Sequence, residues 1–364
     1  MSAPKVMVAM SGGVDSSVAA ALLKEQGYEV TGITIKLWPK YIDPVEEEGG
    51  CCSLAAVEDA RRVAQMLDIP YYVLNMQKDF QDMVIDQFTA EYLKGRTPNP
   101  CIECNRSIKF GRLMEKAAQL GMDYVATGHY ARIVRTDGLS RLFRGKDVEK
   151  DQSYALYSLD QALLKKVLLP VGDYHKGEIR ELANKYGLRI ANKPDSQEIC
   201  FIPDNNYKEF LTTHAGAKQS PGPIVNTEGK VLGNHEGIFN YTIGQRKGLG
   251  LTVGERLFVV DINPETNTVV VGSNSDVFSN SFTVTDFNWI LGKTPSQAFS
   301  AQAMIRYNAK PQPAQINVEG QDRVTIAFDQ AQRAITPGQS AVIYQDDEVL
   351  GGGVILARSI TNRT

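Results

Sequence analysis

The first half of the chain alternates short apolar runs with helical periodicity, and that alternation limits its fold more than any other feature. Val6–Met10 is apolar, Ser11-Gly12-Gly13 breaks the run, and Val14, Val18 and Leu22 then recur every four residues, on one face of a helix. Gly27 stands where a helix C-cap belongs, and Ile33, Ile35 and Leu37 alternate like a strand. The same reading makes Ser53–Leu67 a helix, Tyr71–Leu74 a strand, Arg106–Leu120 a helix and Asp123–Thr127 a buried strand. Strands separated by helices pair in parallel, so the pattern predicts an α/β domain with a doubly wound sheet.

The character changes after about Pro203. Short β-branched runs follow, at Leu257–Val260, Thr268–Val271 and Val324–Phe328, punctuated by Gly and Asn. A Ser/Asn-rich stretch near 275–280 separates two strand groups. We therefore expect a catalytic domain over 1–203, a central β-rich domain over 204–276 and a C-terminal β-barrel over 277–364; about 100–200 residues per domain allows two or three in 364 residues. The only charge block, Glu46-Glu47-Glu48 beside Gly49-Gly50, reads as a solvated loop. A net charge of −3 argues against wholesale coating of nucleic acid but leaves room for a focused basic site. No run approaches the ~18 apolar residues of a membrane span, and a cytoplasmic location is expected.

The chemistry begins at Ala9-Met10-Ser11-Gly12-Gly13-Val14-Asp15-Ser16-Ser17, between a predicted strand and a predicted helix. Glycines there let backbone approach an anion, and free N–H groups with the Ser11 and Ser16 hydroxyls supply donors. The plainer reading is a serine-capped turn. The string lacks the Gly-Lys-Ser/Thr ending of a Walker A loop and is not the dinucleotide fingerprint. It resembles the PP-loop of the ATP pyrophosphatases, which activate a carbonyl-type oxygen by adenylation. Asp15 could position Mg²⁺ or serve as a helix-dipole partner.

All five cysteines lie within the first 200 residues, a distribution unlike a secreted disulfide framework. Cys51-Cys52, in a Gly-rich loop, reads most simply as incidental. Cys101-Ile102-Glu103-Cys104 follows the rigid Thr97-Pro98-Asn99-Pro100 turn, and Cys104 is expected near a helix N-terminus, where a thiolate is stabilised. Alone, this Cys-x-x-Cys pair could be redox-active, half a metal site or accidental.

Seven strings occur in order: Ser-Gly-Gly-Val-Asp-Ser (11–16), Thr-Pro-Asn-Pro-x-x-x-Cys-Asn (97–105), Thr-Gly-His-Tyr (127–130), Lys-Asp-Gln-Ser-Tyr (150–154), Asp-Ser-Gln-Glu-Ile-Cys-Phe (195–201), Tyr-Thr-Ile-Gly-Gln-Arg-Lys-Gly-Leu-Gly (241–250) and Pro-Gly-Gln-Ser-Ala (337–341). Together they resemble the tRNA-specific 2-thiouridylases of the MnmA type, essentially end to end. That resemblance implies thiolation of uridine 34, the wobble base in the tRNA anticodon stem-loop, with ATP and Mg²⁺. Cys104 would be the nucleophile and Cys200 the carrier of a persulfide received from a sulfur-donor protein, the two ending as a transient disulfide. It places ATP on Ala9, Met10, Ser11, Gly12, Gly13, Val14, Asp15, Ser16, Ile35 and Gly128. It places tRNA on Asn99, Pro100, Cys101, His129, Lys150, Asp151, Gln152, Arg306, Tyr307 and Gln339.

One position departs from the pattern. Many relatives carry Asp after Asn-Pro, where acid–base chemistry is proposed; here it is Cys101, a poorer general base. Cys101, Cys104 and Cys200 could instead hold an iron–sulfur cluster, a reading ranked below the persulfide. The other rivals are a small-molecule ligase of the ATP-pyrophosphatase class and a non-catalytic RNA-binding protein. His129 and Tyr307 also admit plain core roles. Arg106, Lys109, Arg112 and Lys116, at helical spacing, and Arg132, Arg135, Arg141, Arg144 and Lys146 are expected to supply tRNA phosphate contacts.

Overall fold

The computed structural model describes residues 2–39, 54–191, 193, 199–202, 206–214, 216–252 and 254–358. Cys51, Cys52 and the 195–198 part of the Cys200 motif lie outside the described residues.

The N-terminal sheet uses β1 (Lys5–Ala9), β2 (Glu29–Lys36), β3 (Tyr71–Asn75), β4 (Tyr124–Ala126) and, after a hairpin of β5 (Ala131–Thr136) and β6 (Leu139–Arg144), β7 (Val167–Leu168). All its pairs are parallel, in the order β3-β2-β1-β4-β7, so β1 is central. Alternation along β1 sorts its side chains between two layers. Val6 and Val8 pack with Val14, Val18, Leu22 and Leu23 of helix α1 (Val14–Glu25). Met7 faces the other way, into a cluster with Ile33, Phe80, Phe88 and Ile108. The first half is thus the predicted α/β domain.

The second part is all β. β8 (Gly222–Asn226), β9 (Val231–His235), β10 (Phe258–Asn263) and β11 (Thr268–Gly272) form a four-stranded sheet in the order β10-β11-β8-β9. β12 (Phe278–Trp289), β13 (Ala298–Met304), β14 (Gln312–Val318), β15 (Val324–Arg333), β16 (Ser340–Gln345) and β17 (Glu348–Arg358) follow. A β12–β17 pairing closes these six into a barrel, filled by Phe282, Val284, Ile316, Ile326, Ile343 and Ile355.

The parts are not beads on a string. The β5–β6 hairpin, from within the catalytic half, extends the barrel sheet through Leu142↔Val349 and Phe143↔Glu348. Tyr154, Tyr157, Leu142, Ile290, Val342 and Tyr344 share one core across that joint. The Tyr154 hydroxyl donates to the Ser340 carbonyl at 2.8 Å. The barrel also grips the turn ahead of the cysteines: Thr97 N–H donates to Pro337 O at 2.9 Å, and Gln339 Nε2 to Thr97 O at 2.7 Å.

Gly338 makes this close approach possible. Its φ is +90°, and a Cβ there would lie 2.8 Å from Thr97 N. Gly338→Ala is expected to lower stability by about 1–3 kcal/mol, as left-handed backbone on a residue with a Cβ does. Thermal unfolding checks this; an unchanged Tm would mean the Thr97 contact does not constrain the backbone.

Candidate functional site

The phosphate loop leaves the C-terminal end of β1, where open parallel sheets bind ligands. Gly13 caps α1 with extended backbone and no side-chain cap, so the cap contributes no side chain to the first-turn N–H groups. Ser16 Oγ accepts from Ser11 N–H at 3.1 Å and donates to Gly13 O at 3.3 Å, which folds the loop back on itself. Gly12 has φ +70°, with Ala56 O only 2.2 Å from where a Cβ would be. Gly128 packs against the start of α1, where a Cβ would lie 2.6 Å from Ser16 N. This cradle of backbone donors fits the triphosphate of ATP.

Two lysines flank the loop, and sequence reasoning missed both. Lys176 Nζ meets Asp15 Oδ1 and Oδ2 at 2.8 and 2.9 Å, while the Tyr130 hydroxyl donates to Asp15 Oδ1 at 2.6 Å. Lys193 Nζ donates to Gly12 O at 3.2 Å and to Asp59 at 2.9 Å. No motif surrounds Lys176, but Lys193 stands two residues before the Asp195–Phe201 string, a signal that could have found it. Both oxygens of Asp15 are thus engaged, so the carboxylate fits a dipole and ion-pair partner and does not fit a Mg²⁺ ligand in this arrangement.

The cysteine segment differs from expectation in a consequential way. Its helix starts at Pro100, not Arg106: Asn99 is the N-cap, accepting from Cys101 N–H at 3.1 Å, and Pro100 takes the first position. Cys101 therefore occupies the exposed first turn, while Cys104 lies a turn further on, buried, where the dipole effect has faded. Cys104 opens a π-helical stretch, Cys104–Arg112, a form often found at functional sites.

Cys104 packs in the Met7–Phe88 cluster together with Phe201 and Ile202, and partly buried Cys200 packs against it. Two thiols far apart in sequence are thereby brought into one apolar environment. Phe201 anchors this segment, with edge-to-face contacts to Phe80, Phe88 and Phe210 at 5.6, 5.5 and 5.2 Å. The cluster alternative fits poorly: Cys101 is exposed and Cys104 buried, and among the described residues no three His, Cys, Asp or Glu side chains are grouped to hold a metal ion.

The barrel adds a wall beside Cys101. Burial, then the Asp151 carboxylate and the Cys101 thiol, push the Tyr307 phenol up, against a hydrogen bond with Gln152. Tyr307 is 39% exposed, so the core reading does not describe it. Asp151 turns inward instead of toward RNA: it accepts from Arg144 Nε, Gly145 N–H, Ser153 N–H and Ser153 Oγ, each at 3.0–3.1 Å. His129 is enclosed too, its Nδ1 2.7 Å from Thr127 Oγ1. Gln339 is occupied by Thr97. Arg306 is exposed.

The expected basic faces are corrected. The π-helical i→i+5 pattern breaks the three-and-four spacing that would align Arg106, Lys109, Arg112 and Lys116, and Arg112 pairs with Asp79 and Glu115, each at 3.0 Å. Arg141 pairs with Glu348 at 2.8 Å, Arg144 with Asp151, Lys146 with Glu178 and Arg132 with Asp347. Arg135 donates to the carbonyls of Leu164 and Val167. Asp347 and Glu348 are remote in sequence and Asp151 was assigned to RNA, so the hairpin looked basic when read alone.

A parallel sheet with a Ser-Gly-Gly loop leading into a helix, two lysines on that loop and a thiol pair under the same sheet define a nucleotide-binding domain of the ATP-pyrophosphatase type. The chain matches the tRNA methyl transferase HUP domain over residues 4–204, the tRNA methyl transferase PRC-barrel domain over 208–273 and the aminomethyltransferase beta-barrel domain over 279–355. It is 57% identical over 357 residues to the tRNA-specific 2-thiouridylase MnmA of Carboxydothermus hydrogenoformans, covering 97% of this chain and 98% of that one. It is 55% identical to the enzyme of the same name from Clostridioides difficile, covering 96% and 98%. A solved 4-thiouridine synthetase–RNA complex with bound ATP aligns at 21% identity and a TM-score of 0.38, over 57% of this chain and 50% of that one, too distant a likeness to argue from. The chain belongs to the tRNA-specific 2-thiouridylase family.

Burial, with Lys109 adding repulsion, holds His129 well below the usual histidine range; burial lowers His235 too, against its hydrogen bond to Asn267 O. The unfolded chain therefore binds more protons than the fold below about pH 6.5, and stability falls as the pH drops through that range. Denaturant titrations between about pH 7.5 and 5.5 should show His129→Asn flattening this dependence by up to ~1.4 kcal/mol per pH unit. An unaltered slope would refute a neutral, enclosed His129.

Proposed function

We propose that this protein converts uridine 34 of tRNA to 2-thiouridine at the expense of ATP, releasing AMP and pyrophosphate. The observation that carries the reading is the shared environment of Cys104 and Cys200, in the cluster packed against the sheet whose central strand ends in the phosphate loop. The family descriptions speak of methyl transfer and the named relatives of thiolation; two thiols in one apolar cluster favour thiolation.

The uracil C2 oxygen attacks the α-phosphorus of ATP, and pyrophosphate leaves. Backbone N–H groups at the start of α1, with Lys176 and Lys193 beside them, suit the charge that develops. Ile35 and Gly128 border the adenine. Asp15 is engaged by Lys176 and Tyr130, so Mg²⁺ bound to the nucleotide phosphates would supply charge neutralisation for the leaving pyrophosphate. Cys200, the more exposed thiol, suits receipt of sulfur from a donor protein as a persulfide; Cys104, buried, suits attack away from water.

The terminal persulfide sulfur attacks C2 and AMP departs with the former C2 oxygen. The Cys104 thiolate then attacks Cys200 Sγ, the S–S bond to the base breaks, and 2-thiouridine leaves as the Cys104–Cys200 disulfide forms. Alternatively Cys104 first frees hydrosulfide, which attacks C2; the disulfide is the same product. A two-electron thiol reductant restores both cysteines, as a reducing cytoplasm allows. Asn99-Pro100-Cys101, Tyr307 and Gln152 form the wall nearest the target base, with Tyr307 as a stacking face.

Incubation with tRNA, ATP, Mg²⁺ and a persulfide donor, followed by nucleoside mass spectrometry, tests the proposal. Wild type should yield 2-thiouridine, while Cys104→Ser and Cys200→Ser should yield none and keep tRNA affinity within about twofold. ATP-dependent pyrophosphate release that survives Cys200→Ser with no thiolated product from wild type would point to a ligase instead.

A further inference from the structure

Several cations around the catalytic half spend their charge internally: Arg112, Arg132, Arg141, Arg144, Lys146, Lys176 and Lys193 each pair with a carboxylate. The seam between the central sheet and the barrel is different. There the Arg306 guanidinium donates to the main-chain oxygen of Arg333, and Arg333 Nη2 donates to Gly244 O at 3.0 Å. The Arg333 guanidinium lies 5.4 Å from the centre of the Phe258 ring, a cation–π contact that fixes its plane. Among the described residues neither arginine has a carboxylate partner.

Partial burial, then Arg333, make the Arg306 cation less favourable than usual, with Tyr154 opposing. Two arginines linked through a main-chain oxygen, with no acid between them, leave positive charge that an anion would stabilise. The seam continues in both directions. Tyr307 follows Arg306 and borders Cys101; at the other end, Arg246 and Lys247 stand exposed just beyond Gly244. Arg246 and Arg256, with Glu255 as the only acid, line an open cleft of about 660 Å³. Phe278, 40% exposed, is the cross-strand partner of Arg333.

We propose that Arg333 and Arg246 extend the tRNA contact that the family resemblance gives to Arg306 and Tyr307, forming a track for backbone phosphates of the substrate RNA along the central-sheet seam. This rests on the tRNA reading above. The track accounts for both halves of the 241–250 string. Its Thr242-Ile243-Gly244 part joins the units, with Thr97 Oγ1 donating to Thr242 Oγ1 at 3.4 Å, and its Arg246-Lys247 part meets RNA. Phosphate contacts of this kind set register without reading sequence.

The test measures tRNA binding by fluorescence anisotropy over a series of salt concentrations, with tRNA KM and kcat alongside. Arg333→Gln and Arg246→Gln should each weaken binding roughly three- to tenfold at about 0.1 M salt and flatten the slope of log Kd against log salt by roughly one. Arg333→Lys should recover most of the slope. The KM for tRNA should rise while kcat at saturating tRNA stays. Arg246 is exposed at the edge of the cleft, so its variant separates RNA binding from misfolding. Unchanged salt slopes in both Gln variants of an active enzyme would overturn the track. So would unchanged tRNA binding with slowed sulfur delivery, which would give this surface to the donor protein. Failure of the thiolation reading shows separately, as wild type that makes no 2-thiouridine.

Discussion

The site depends on a single clamp between the barrel and the turn that precedes the cysteines. Thr97 is held through its amide and its carbonyl by residues 337–339, more than two hundred positions away. Two residues further on, Asn99 caps the helix that carries Cys101 and Cys104. The clamp therefore fixes where that helix begins, and with it which thiol is exposed and which is buried. It also sets the barrel's Tyr307 beside Cys101 and Gln152, so this wall exists only when both ends of the chain are joined.

The buried side of the site is governed by packing rather than charge. Cys104 enters the cluster formed by Met7, Ile108 and the phenylalanines around Phe201, and the same aromatic contacts hold the segment that carries Cys200. Charge governs the opposite layer. Asp15, fixed by Tyr130 and Lys176, links the start of α1 to the Lys176–Lys185 helix, while Lys193 braces Gly12. The phosphate loop is thus supported from two later segments as well as from its own strand.

Much of this was legible in order. Period-two and period-four patterns located β1, α1, β2 and the change to β structure, because each reports which face meets a core. The phosphate loop and the Cys104 and Cys200 strings were legible because short strings carry their chemistry. What escaped was anything set by remote partners. The helix at Pro100 was read as starting at Arg106 because the capping role of Asn99 was overlooked. The hairpin arginines looked available for RNA because Asp347 and Glu348 lie far along the chain. Asp151, read as an RNA contact, proved to be a buried acceptor for Arg144 and Ser153.

The β5–β6 hairpin has a consequence for synthesis. Its outer partner is β17, the last strand of the barrel, so a ribosome finishes the catalytic sheet long before the hairpin can pair. Until then β6 offers an open strand edge, with Leu142, Tyr154 and Tyr157 lacking part of their core. A chain stopped short of β17 would carry the nucleotide loop and both thiols yet lack the partner that completes the barrel around the Thr97 clamp. The geometry around Thr97 and Cys101 is therefore completed only when the last strand of the barrel has been made.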